Sequence, residues 1–110
     1  MSQAPRMWIS NSSPKQGEIV RVRAQIRHRM ESGMRTDAEG ELIPRNIVSK
    51  FEARLSDDLL FVWEPETAIT QHPYLEFTFV ARKSEDLTMT WTDDLGEVVT
   101  GSQTISIEGA

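Results

Sequence analysis

The chain has 110 residues, a net charge of −5 and no cysteine, a length that supports one domain with one hydrophobic core. The missing cysteine excludes disulfides, thiolate metal ligands and cysteine nucleophiles. No apolar run approaches the roughly 20 residues of a membrane span, so no membrane association is expected.

Charge is divided unevenly along the chain. Residues 1–55 sum to +4 and residues 56–110 to −9. So acidic a second half argues against a nucleic-acid partner. The asymmetry marks either an interaction surface or two halves that neutralise each other across a sheet. The N-terminus, MSQAPRMWISNSSP, lacks the basic start and apolar stretch of a secretory leader.

Taken in chain order, the pattern is one of strands. A short strand fits Arg6 to Ile9. Over residues 19–30, Val20, Val22, Ala24, Ile26 and Met30 share one face, and Arg21, Arg23, Gln25, Arg27 and Arg29 the other. That period of two predicts a half-buried strand carrying an arginine ladder. Next, Ile47, Phe51, Ala53 and Leu55 alternate with Val48, Lys50, Glu52 and Arg54. Leu59 to Trp63 is apolar on both faces, so a loop or a partner must cover Leu60 and Val62. A helical turn or two is expected within residues 64–71. Leu75, Phe77, Phe79 and Ala81 then form one face of a strand, and Leu87, Met89 and Trp91 one face of another, with Trp91 a core candidate. A last strand is expected over residues 98–107. Turn chemistry separates these runs at Ser13-Pro14 with Gly17, Ser56-Asp57-Asp58, Ser84-Glu85-Asp86 and Asp93-Asp94-Leu95-Gly96. The last suits a type I turn closed by Gly96 in the left-handed region. Seven short antiparallel strands at this spacing predict an all-β fold, an immunoglobulin-like β-sandwich.

Between the second and third strands lies HRMESGMRTDAEGELIPRNI, residues 28–47. Loops this long without their own secondary structure are usually functional. This one carries Met30, Met34, Arg35, Ile43, Pro44 and Arg45 but no nucleophile and no ligand cluster, which predicts a contact surface rather than a reaction centre.

Catalytic equipment is sparse. His28 and His72 are the only histidines, at a strand end and in a turn, and each reads as a surface or satisfied histidine rather than a metal ligand. Asp37, Glu39 and Glu41 imitate the start of a calcium loop, but Leu42 and Val48 stand where Gly and Glu are needed. Asp57-Asp58 and Asp93-Asp94 read as water-exposed turn aspartates. No serine has a triad around it, and no glycine-rich phosphate loop occurs. The arginine ladder on Arg21, Arg23, Arg27 and Arg29 reads as a solvated face paired with acids on neighbouring strands, or as a docking face for acidic partners.

One segment is specific enough to suggest a family. The run represented by Met30, Ser32, Gly33, Arg35, Asp37, Gly40, Ile43 and Pro44, followed by IVSKFEAR, HPYLEFTFVA and WTDDLGEV, resembles SoxZ. The likeness extends from Pro5 to Ile107, with Arg29 where the pattern has Pro and His72 where it has Asn. The resemblance implies a non-catalytic, cofactor-free sandwich in the periplasm. It would form a heterodimer with SoxY, whose Gly-Gly-Cys-Gly-Gly arm carries sulfur intermediates in thiosulfate oxidation, and would dock transiently to other Sox enzymes. It also implies export as the passenger of a signal-bearing SoxY. Candidate partner contacts are Met30, Met34, Arg35, Ile43, Pro44, Arg45, Leu60, Val62 and Trp63. Alternatives are a SoxZ-like module in another carrier or dehydrogenase-associated system, or a stand-alone sandwich that binds small ligands. An iron superoxide reductase on a related fold needs several histidines and a cysteine, which this sequence lacks.

Overall fold

Alternation of apolar and polar side chains drives the chain into two antiparallel sheets packed face to face, as a computed structural model shows for residues 5–65 and 71–108. Seven strands form in chain order: β1 (Arg6–Ile9), β2 (Ile19–Gln25), β3 (Val48–Leu55), β4 (Asp58–Trp63), β5 (Tyr74–Val80), β6 (Glu85–Asp93) and β7 (Val98–Ile105). One sheet has the order β1-β2-β5 and the other β4-β3-β6-β7. This is the immunoglobulin-like sandwich that the periodicity predicts, and the described residues contain no helix. The helical turn expected within residues 64–71 falls on residues 66–70, outside the described residues.

Inward side chains of both sheets meet in one core. Val20, Val22 and Ala24 of β2 and Phe79 of β5 face Phe51 and Ala53 of β3, Leu87, Met89 and Trp91 of β6 and Ile105 of β7, all buried. Trp91 is therefore the core residue its register suggested. Phe51 stands at the centre of an aromatic group, with ring centroids 5.0 Å from Trp91, 5.5 Å from Phe61 and 6.3 Å from Phe77. Removing such a ring costs about 3–5 kcal/mol through lost burial and the cavity left behind.

Two bulges displace side chains from the faces that strict alternation assigns. The β3–β6 register shifts between Val48 and Lys50, so Ile47 and Val48 are both buried although the pattern put Val48 on the polar face. The β3–β4 register shifts between Ala53 and Arg54, pairing Ala53 with Phe61 and Arg54 with Leu59. Leu60 is the extra residue, as a bulge requires, and it packs against the core. The exposed apolar pair on edge strand β4 is thus Leu59 and Val62, not Leu60 and Val62. Trp63, paired with Phe51, leans inward and is partly buried.

Strand β2 stops at Gln25, short of the Met30 that the alternation reached. Met30 has a left-handed backbone (φ 54°), which a strand does not accommodate. Consequently Arg27 and Arg29 leave the ladder. Arg21 and Arg23 remain on the outer face of the β1-β2-β5 sheet, each 3.4 Å from Glu76 of β5, and the Arg23 guanidinium lies 4.6 Å above the Trp8 ring. This is the pairing of a basic first half with an acidic second half across one sheet.

Candidate functional site

Residues 28–47 are more ordered than their composition suggests. Glu31 and Asn46 exchange backbone hydrogen bonds of 2.9 Å, and the Ile43 N–H donates to the Arg35 carbonyl at 2.9 Å. These bridges fold the segment into an irregular two-stranded ribbon. Its tip is a turn in which Asp37 Oδ1 accepts the Glu39 and Glu41 N–H groups at 2.9 and 3.0 Å, the ordinary turn chemistry of aspartate.

Ion pairs brace the ribbon at both arms. Arg35 donates twice to the Glu31 carboxylate, and this hydrogen bond holds the Glu31 carboxyl below its usual range. Arg45 binds Asp94 in the β6–β7 turn through two bonds of 2.8 and 3.0 Å. Burial alone would raise the Asp94 carboxyl, but the Arg45 guanidinium and the Ile47 N–H outweigh it and hold Asp94 low.

The candidate contact residues therefore fall into different environments. Met30 is buried at the base of the ribbon, and its Sδ accepts the Val48 N–H at 3.2 Å. That makes Met30 an anchor rather than a contact. Met34 is 85% exposed and Pro44 is exposed, whereas Ile43 is half-buried. Arg35 and Arg45 are exposed but already committed to their carboxylates. Leu60, Val62 and Trp63 lie on β4, apart in sequence from the ribbon, and only Val62 of the three is exposed.

A second constellation escapes a linear reading. At one end of the sandwich a cleft of about 480 Å³ is lined by Arg27, His28, Arg29, His72, Trp91 and Asp93, with Glu97 and apolar walls beside them. His28 Nε2 lies 3.1 Å from Asp93 Oδ2. His28 Nδ1 accepts the Met30 N–H at 2.9 Å, so the neutral ring carries its proton on Nε2 and donates it to Asp93. His72, with a left-handed backbone (φ 53°), accepts the His28 N–H on Nδ1 at 3.0 Å and returns its own N–H to the His28 carbonyl at 2.8 Å.

Asp93 departs from the exposed-turn expectation. It is 6% exposed, and its Oδ1 accepts the Leu95 and Glu97 N–H groups at 3.1 and 2.9 Å while Oδ2 meets His28. The turn itself is the expected one, with Gly96 at φ 84° and the Gly96 N–H bonded to the Asp93 carbonyl at 3.0 Å. One signal for this cluster was present in the sequence: a histidine just after β2, a histidine just before β5 and an aspartate ending β6 all map to the same end of an antiparallel sandwich.

Solved structures share this fold at low identity. A superoxide reductase (neelaredoxin) from Ignicoccus hospitalis superposes with a TM-score of 0.70 at 15% identity, covering 97% of this chain and 82% of that one. The sulfur carrier protein SoxY from Chlorobium limicola f thiosulfatophilum gives 0.64 at 10% identity, covering 96% and 80%. A comparison with curated protein sequences returned no match. The profile of the sulphur oxidation protein SoxZ matches residues 9–104, and this chain belongs to the SoxZ family.

Proposed function

We propose that this chain is the non-catalytic subunit of a sulfur-carrier heterodimer in thiosulfate oxidation, where it holds SoxY and presents the SoxY cysteinyl arm to other Sox enzymes. The observation that carries the reading is the family match over residues 9–104. The side chains support it. A chain without cysteine cannot trap a partner's sulfur-bearing thiol as a mixed disulfide. Edge strand β4, with Leu59 51% and Val62 38% exposed on its outer face, offers a permanent partner an apolar strip beside unpaired backbone groups. The ribbon tip, with Met34 and Leu42 exposed, suits the transient contacts. The place of action under this reading is the periplasm, reached as the passenger of a signal-bearing SoxY.

Co-expression with a SoxY from the same source tests the proposal. The expected result is one co-eluting species on size exclusion, with native mass spectrometry giving a one-to-one complex. Two separately eluting proteins would overturn it. A superoxide reductase reading finds less support, because its iron site calls for a cysteine and several histidines with open ring nitrogens.

A further inference from the structure

The ribbon of residues 28–47 is fastened to the sandwich through two imidazoles, and both act as acceptors. His72 Nδ1 takes the His28 N–H at 3.0 Å, and His28 Nδ1 takes the Met30 N–H at 2.9 Å. The series continues through Met30, whose Sδ takes the Val48 N–H at 3.2 Å, to the Glu31–Asn46 bridge at the ribbon's root. An imidazole nitrogen accepts only while it carries no proton, so both links require neutral rings. Met30 and His72 also have left-handed backbones (φ 54° and 53°), a conformation that persists only where its surroundings impose it.

We infer that His28 and His72 form a pH-operated latch on the ribbon: neutral, they fasten its root to the end of the sandwich, and protonated, they release it. In an imidazolium both nitrogens are donors. A proton on His28 Nδ1 would face the Met30 N–H donor against donor, while Nε2 keeps Asp93, 3.1 Å away. A proton on His72 Nδ1 would oppose the His28 N–H in the same way. Water reaches the rings, because both line the cleft and the His28 side chain is 13% exposed. The surrounding charges are mixed. Asp93 at the end of β6 and Glu97 before β7 line the same cleft, as do Arg27 and Arg29 on the segment after β2, and the charge of His28 also acts on Asp94. Release is confined to one arm of the ribbon. Burial raises the Asp94 carboxyl, but Arg45 and the Ile47 N–H hold it below its ordinary range, so the Arg45–Asp94 brace of the other arm stays ionised under mild acid. The latch rests on these bonds alone, and its failure would leave the heterodimer reading untouched.

The test is a pH titration of the full chain, ¹⁵N-labelled, from about pH 8 to about pH 5, the interval in which imidazoles change charge. Imidazole ¹⁵N signals report the proton on each ring nitrogen, and hydrogen exchange, corrected for the intrinsic rate at each pH, reports the amides. The expected result is a bare Nδ1 on both rings at the alkaline end. As the rings take their second proton, protection of the His28 and Met30 amides should fall by roughly tenfold or more, with the Val22 and Phe51 amides of β2 and β3 unchanged. Two variants replace a titrating acceptor by a permanent one. In His72→Asn the new Oδ1 can accept the His28 N–H, and asparagine tolerates the left-handed backbone. In His28→Asn the Oδ1 can accept the Met30 N–H two residues on, as asparagine does in turns. Each is expected to make its own amide indifferent to pH, and His72→Asn decides alone if His28→Asn does not fold. A proton on either Nδ1 at the alkaline end, or a pH response that survives the substitutions, would overturn the latch. So would amides that ignore ring protonation, or that are lost only together with Val22 and Phe51.

Discussion

Asp93→Asn isolates the network that closes the cleft end of the sandwich. The wild-type carboxylate accepts from Leu95 and Glu97 through Oδ1 and from His28 through Oδ2. An asparagine keeps the first two bonds and turns an NH₂ toward the His28 Nε2–H, donor against donor. His28 cannot escape by changing tautomer, because its Nδ1 is the acceptor for the Met30 N–H. One buried donor is therefore left unmet and one charge-assisted bond is lost, for a cost of about 2 kcal/mol. For a domain of this size that lowers Tm by roughly 10 °C. Urea unfolding followed by tryptophan fluorescence measures it, with Asp58→Asn at the exposed start of β4 as the control, expected within about 0.5 kcal/mol of wild type. A cycle with His28→Ala should show coupling of about 1 kcal/mol or more between the two positions. An Asp93→Asn protein as stable as wild type, or strict additivity with His28→Ala, would refute the assignment of a working His28–Asp93 bond.

Other perturbations probe separate parts of the molecule. A Cβ at Gly101 would lie 2.6 Å from Met7 Sδ and 2.7 Å from Pro5 Cγ, so Gly101→Ala should cost about 1–3 kcal/mol in a denaturant titration, and adding Met7→Ala should recover part of it. Leu59→Asp with Val62→Asp should leave the circular dichroism of the isolated chain intact and abolish co-elution with SoxY, whereas Leu60→Asp should unfold the chain because Leu60 packs on the core. Asp94 is held below its ordinary value of 3.8, so the stability it contributes is complete above that value and lost as pH falls through the lower folded value. Arg45→Gln should accordingly be less stable than wild type at pH 6, with the gap closing under acid; a gap that ignores pH would show that the Arg45–Asp94 pair contributes nothing through charge.

Much of the sandwich was readable because its cause is local. A strand buried on one face must alternate, and β1, β2, β3, β5 and β6 do so with few interruptions, which placed Trp91, Phe51 and Val22 in the core from register alone. Errors arose where the backbone leaves that period. The bulge beside Ser49 put Val48 inside, and the bulge opposite Ala53 and Arg54 exchanged Leu60 for Leu59 on the outer face. A bulge adds one residue without any composition that marks it, so counting by twos passes straight through. The ribbon of residues 28–47 was legible as a surface but not as a structure, since its bridges pair residues through backbone atoms that no side-chain pattern records. The His28–His72–Asp93 cluster was hidden for a different reason. Its members are 44 and 65 positions apart, and each looks ordinary in its own turn.

That cluster also bears on why two such different neighbours share one fold. A superoxide reductase and a sulfur carrier both superpose on this chain, so the sandwich does not choose between them, and the choice falls to side chains. Here His28 has both ring nitrogens in use, His72 has one in use, and Asp93 has three donors on its two oxygens. A cation placed among them would have to displace the Met30 N–H, the His28 N–H or the turn that ends β6, each a bond on which the local backbone depends. The left-handed residues Met30 and His72 hold their conformations because those same bonds repay the strain. The histidines thus serve as backbone caps just after β2 and just before β5.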